Sequence, residues 1–354
     1  MLCGSLWSGI YPVRQRSGRG KRTKLYKETI NEQYEGKMRT RKKITMAGTV
    51  LLCIATLASC TKGGGTEEPQ PGPDADRSIR LSAGLQAVTK AAIGSGTSFT
   101  ASVGGWESAS GADYGKSASW LSTASVTASE SASDIALTPK QYYSQNGAER
   151  TYIKAWYPQG TFSGGVVSFA GDADYRGDGT DDILLSGEVS GSALDAATRT
   201  LAFKHLTTQL RFKTQGDALF GTTTNVKSIT VKGTGLPTGL DLKTNALVYD
   251  ASTGVRVPGI DGSHTITEQV AQVGEALMIP PFGAKTFKID VATVTAAGKE
   301  IVYRDVTVTV SDASTLPGKA YTIALTFAGY EITAQASVSE WDYTGTGSGD
   351  VTTD

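Results

Sequence analysis

The chain has 354 residues, 39% hydrophobic and 19% charged, with 34 basic residues against 34 acidic. This gives room for two domains with sizeable cores and excludes little else. The only cysteines are Cys3, Cys53 and Cys60, so no disulfide framework is expected.

Residues 1–37 are basic and without apolar period, and Met38 is expected to be the true initiator, with 1–37 a spurious extension. A basic nucleic-acid arm is the competing reading. Arg39, Arg41, Lys42 and Lys43 then precede an apolar run over 44–58. That run is shorter than the roughly 20 residues of a spanning helix, and its order of basic, apolar and small residues is that of an export signal over 38–59. Leu57-Ala58-Ser59-Cys60 resembles the bacterial lipobox. The resemblance implies cleavage between Ser59 and Cys60 and acylation of the Cys60 thiol. An uncleaved signal anchor is the alternative. Removing the 12 basic and 3 acidic residues of 1–59 leaves 22 basic against 31 acidic, a formal net charge of −9. Such a charge argues against nucleic acid as a partner.

Gly63-Gly64-Gly65, three prolines and four acidic residues make 60–78 a flexible tether. From Ile79 onward, short segments rich in Val, Ile, Thr, Tyr and Phe alternate with Gly, Asp, Asn and Pro clusters, and helical period is nearly absent. Alternation is clearest at 79–81, 201–205, 210–213 and 306–310, with further strands expected at 151–157, 166–169, 226–232, 246–249, 276–279, 286–291, 321–327 and 331–338. An all-β chain of one or two antiparallel sandwiches follows. The division is expected near 216–224, giving an N-terminal sandwich over 79–218 and a C-terminal one over 219–354.

No catalytic residue, cofactor or thiol site is indicated. There are two histidines, His205 read on the polar face of its strand and His264 in a polar loop, and no P-loop, nucleophile elbow or zinc motif occurs. The segment 171–182 resembles a calcium loop at Asp172, Asp174 and Gly177, with Asp178 a further carboxylate. Arg176 occupies the third ligand position, however, and Ile183 stands where the closing Glu would be. A solvated Asp/Gly turn is the other reading. Arg176-Gly177-Asp178 also spells an integrin-type tripeptide. Paired carboxylates among Asp172, Asp174, Asp178, Asp181 and Asp182 keep a hydrolase in view. Trp106, Trp120, Trp156 and Trp341, with Tyr142, Tyr143, Tyr152 and Tyr157, are either sugar-stacking platforms or core.

An ordered set of segments resembles the fimbrillin family, lipoprotein precursors of type V pili on Gram-negative cell surfaces. It comprises Leu57–Cys60, the strand at 79–86 with Val88-Thr89-Lys90-Ala91-Ala92, Ala155-Trp156-Tyr157-Pro158, and Asp182-Ile183-Leu184-Leu185. It continues with 201–212, Leu277-Met278-Ile279-Pro280, Pro317-Gly318-Lys319-Ala320-Tyr321 and Val338-Ser339-Glu340-Trp341. The resemblance implies two transthyretin-like β-sandwiches and a stalk, tip or anchor subunit at the cell surface. It implies an outer-membrane lipoprotein that joins other fimbrial subunits by strand exchange and meets a host or bacterial surface ligand. It also implies a trypsin-like maturation protease cutting after a basic residue past the first strand. That position is carried over to Lys90, before Ala91, where arginine is more usual; Arg77 and Arg80 are alternatives. Ile79, Leu81, Ala83 and Leu85, at period 2, are the candidate groove-filling face. The polar, glycine-rich stretch after Trp341 is a poor donor strand, unless 332–341 swings out instead. A glycan-binding surface lipoprotein of similar fold is the alternative function.

Overall fold

The computed structural model describes residues 76–86, 93–218, 223–328 and 331–340. All regular structure among them is strand. In the N-terminal stretch the strands are β1 (Leu81–Leu85), β2 (Ser98–Ser108), β3 (Trp120–Thr127), β4 (Ser133–Ile135) and β5 (Arg150–Tyr157). Next come β6 (Thr161–Ser163), β7 (Val166–Ser168), β8 (Leu184–Ser186), β9 (Val189–Gly191) and β10 (Arg199–His205). Then follow β11 (Thr208–Gly216), β12 (Thr224–Lys232), β13 (Pro237–Asp241), β14 (Ala246–Tyr249) and β15 (Gly254–Arg256). The last are β16 (Ala271–Ile279), β17 (Thr286–Thr295), β18 (Glu300–Thr309), β19 (Lys319–Ala328) and β20 (Glu331–Glu340).

Four sheets result. The first runs β3-β2-β5-β8-β10-β1-β4, with β9 beside β5; the second runs β14-β13-β7-β6, the third β16-β11-β19-β20 and the fourth β15-β12-β17-β18. Pairing is antiparallel except for β1 with β10 and β11 with β19. The third and fourth sheets pack as a sandwich over one core, because inward positions two apart are apolar: Leu210 and Phe212 of β11, Ile289 and Val291 of β17, Tyr321, Ile323 and Leu325 of β19. The first sheet curls until its ends approach, Thr123 of β3 bridging Thr138 just past β4. The curl encloses a second core of Leu81, Ala83, Leu85, Val103, Ala155 and Phe203. Its outer side carries Trp106 and Trp156 against Val167 and Leu240 of the second sheet. Ala155 and Trp156 are neighbours in β5, so the pleat sends them to opposite sides.

The sheets interleave across the expected division. Residue 218 lies just after β11, whose partners β16 and β19 are on its C-terminal side. Conversely, β13 pairs with β7 of the N-terminal stretch. One buried side chain fastens this crossing. Lys154 in β5 donates from Nζ to the Leu242 carbonyl at 2.8 Å and to Asn245 Oδ1 at 2.8 Å, and lies 3.8 Å from the Tyr114 ring centroid. Burial holds its pKa below the usual lysine value, with Glu188 and Asp241 opposing.

Candidate strand-acceptor groove

The groove-filling face expected at Ile79, Leu81, Ala83 and Leu85 is inward: these side chains are 6%, 2%, 0% and 1% exposed. Each large aliphatic side chain so buried contributes about 1.5–3 kcal/mol. The strand is not an edge. It lies between β10, paired parallel from Leu81 opposite Arg199 to Leu85 opposite Phe203, and β4, paired antiparallel from Leu81 opposite Ile135 to Ala83 opposite Ser133. Main-chain bonds extend the ladder at both ends. Ile79 N donates to Gln141 O at 3.0 Å and Tyr143 N to Arg77 O at 2.9 Å, while Leu85 N donates to Ser129 O and Gln86 N to Phe203 O, both at 2.9 Å.

Simple alternation would leave Ser82 and Gly84 in water, but both are buried. Ser82 Oγ lies 2.9 Å from Thr200 Oγ1 on the neighbouring strand, and the turn at 129–132 covers Gly84. β1 is therefore enclosed on two edges and two faces. Among the described residues its ladder partners all lie more than 40 residues away in sequence, and residues 86–93 join it to the chain that follows.

Lys90 and Ala91 lie in that link, outside the described residues, as do Ser59, Cys60 and Trp341. The two alternative basic positions are described. Arg77 is half-buried and donates from its guanidinium to Tyr143 O at 3.1 Å; Arg80 donates to Ala196 O at 3.1 Å, and its own carbonyl accepts from Arg199 N at 3.1 Å. A protease must draw its substrate out as an extended segment. At both arginines that means opening existing main-chain pairings.

The 171–182 segment does not gather its carboxylates. Asp172 accepts from the amides of Gly160 and Asp174, Asp178 from Thr180, and Asp181 from the amides of Arg176 and Gly177 at 2.8 and 2.7 Å. Burial is the main influence raising the Asp181 pKa, opposed by those two amides. Among the described residues no group of three or more His, Cys, Asp and Glu side chains is placed to hold a metal ion. Asp172 and Asp178 are thus engaged by backbone amides, the arrangement of an Asp/Gly turn. Arg176 and Asp178 are exposed.

His205 is likewise not on a polar face. It shares the inward side of β10 with Leu201 and Phe203, and its Nδ1 lies 2.8 Å from Asp182 Oδ2, whose other oxygen accepts from Thr207 Oγ1 at 3.3 Å. His264 is half-buried with Nε2 2.8 Å from Thr214 Oγ1, and burial depresses its pKa. Trp106 and Trp156 are 4% and 1% exposed and pack edge-on or tilted against Phe162. As core they offer no face to a sugar, and Tyr143 is equally buried.

A fimbrillin-like family model matches residues 89–341. The chain belongs to the fimbrillin-like family. Matching solved structures include a candidate cell adhesion protein from Bacteroides uniformis, 13% identical, covering 75% of this chain and 98% of that one with a TM-score of 0.49. A fimbrial protein from Bacteroides vulgatus is 13% identical over 75% and 100%, with a TM-score of 0.41. The tip fimbrial protein Mfa3 from Porphyromonas gingivalis is 10% identical over 75% and 100%, with a TM-score of 0.35. The family assignment stands on the family model alone. Comparison with curated proteins finds no match.

Proposed function

We propose that the chain is a fimbrial subunit, with a role in adhesion and no catalysis of its own, assembled on the cell surface by replacement of β1 with a strand from a neighbouring subunit. The observation that carries this reading is the position of β1. It ends before the family-matched stretch begins at residue 89, yet it fills the core enclosed by the first sheet with Leu81, Ala83 and Leu85. A cut after Lys90 would sever it from everything that follows. The vacated position would present unpaired main-chain groups of β10 and β4 and the pockets of three inward side chains, which is what strand addition requires.

In this reading Cys60 carries the lipid that holds the precursor at the outer membrane, residues 60–78 are the tether, and β1 keeps the subunit from assembling early. An extracellular trypsin-like protease removes lipid, tether and β1 together. The test is the N-terminus of protein shed from cells, with labelled palmitate followed in parallel. The expected result is Ala91 as the first residue of assembled material and loss of label in Cys60→Ala. Fibres whose subunits still begin at Cys60 would refute it.

A further inference from the structure

We propose that the β1 groove admits only a strand with glycine at the register of Gly84, alanine or a similarly small residue at that of Ala83, and large aliphatic residues at those of Leu81 and Leu85. Its occupant after maturation is then a segment of a different polypeptide carrying that pattern, not residues 331–340 of a second copy. The inference rests on the strand-replacement reading and adds a partner rule to it.

The inner face sets three of the four positions. Leu81 and Leu85 fill the core at its large sites. Ala83, 0% exposed, lies in a cluster that includes Ala101, Ala124, Ala128 and Ala155. A longer side chain there would overfill a close-packed interior. The outer face sets the fourth. A β-carbon on residue 84 would stand 3.1 Å from Ser129 O and 3.2 and 3.3 Å from Ala132 Cα and N. These are main-chain atoms, which cannot rotate aside as a side chain would. The turn is also tied down: Ala128 N donates to Thr97 O and Gly96 N to Ala128 O, both at 2.8 Å, and Ser129 O accepts from Leu85 N. Alanine at this register would press on the turn, and any larger residue would have to displace it, losing the Leu85 bond. A glycine inside a strand commonly marks such close backbone approach. At the position of Ser82 a hydroxyl is met by Thr200 Oγ1.

Residues 331–340, and the glycines at 345, 347 and 349, do not meet the rule. Residues 331–340 read EITAQASVSE, without glycine. Gly345, Gly347 and Gly349 have Asp342, Thr344 and Thr346 three residues before and Thr346, Ser348 and Asp350 one after, so none sits between large aliphatic residues. A strand from another chain, reading aliphatic, small hydroxyl, alanine, glycine, aliphatic, is what fits.

The test treats the full chain with trypsin in the presence of one of three synthetic peptides and follows the trimmed protein by native mass spectrometry. The first peptide is residues 78–86 with Arg80→Gln to resist the protease; the second adds Gly84→Val; the third is residues 331–340. The first should be retained, the second should bind at least about tenfold more weakly, and the third should not be retained. Equal retention of the second or third with the first overturns the glycine rule while leaving strand replacement standing. Failure of all three, with β1 removed, overturns the replacement reading itself.

Discussion

β1 and β20 are the first and last described strands, and they are built differently. β1 is five residues long with every residue buried, and each of its edges pairs with a strand distant in sequence. β20 is ten residues long, pairs only with β19, and puts Ile332, Ala334 and Ala336 half-buried on its sandwich while the residues between them face solvent. Removing β20 would leave another sheet edge on a closed core. Removing β1 would open a core on one side and two ladders. Burial on all sides makes a strand strongly held while attached and gives its vacancy a shape that another strand can recognise.

Truncations should separate the two strands most sharply. Leu85→Ala, in a site 1% exposed, should cost about 2–5 kcal/mol in urea unfolding. Ile332→Ala, in a half-buried site on β20, should cost no more than about 1.5 kcal/mol. Equal losses would mean that the two strands are held alike.

Lys154→Met is the next test. It leaves the Leu242 carbonyl and Asn245 without their donor, and an orphaned buried acceptor costs about 1–3 kcal/mol. The loss should appear as protease sensitivity of the β13–β14 hairpin, with β1 still protected.

The smallest expected effect is on pH. The His264 pKa is depressed in the folded chain, so the unfolded chain takes up the proton first as pH falls through the ordinary histidine range near 6.5. Stability contributed by neutral His264 is present above that range and declines below it, and His264→Gln should flatten the slope between pH 7 and 5. Because His264 contacts Thr214 of β11, the decline should show first in the third sheet by hydrogen exchange, leaving β1 protected.

How much of this was legible in the sequence depended on side-chain size. Strands β10, β11 and β19 place large apolar side chains at successive inward positions, Leu201 and Phe203, Leu210 and Phe212, and Tyr321, Ile323, Leu325 and Phe327, and this alternation announces them. Strands β2 and β3 escaped because their inward residues include Ala101 and Ala124 and because β2 holds a Gly104-Gly105 pair that reads as a turn. The structure gives that pair a reason: a β-carbon on Gly105 would come within 2.1 Å of the Trp120 ring. The apolar face of β1 was readable, but the cover over Ser82 and Gly84 was not, since it comes from residues 129–132 and Thr200. His205 was misread for a similar reason. Its partner Asp182 lies 23 residues earlier, and nothing local signals the pair. β11 and β19 meet in parallel register across more than 100 residues, and β13 and β7 across about 70, pairings that chain order conceals.

The most direct test of the replaceable first strand is brief tryptic digestion of the full chain, with the new N-terminus read by mass spectrometry and the assembly state by native mass. The expected result is cleavage between Lys90 and Ala91, release of β1, and capture of the groove by a strand that obeys the pattern around Gly84. Retention of β1 after cleavage, or its clean loss to leave a stable monomer indifferent to every added strand, would contradict it.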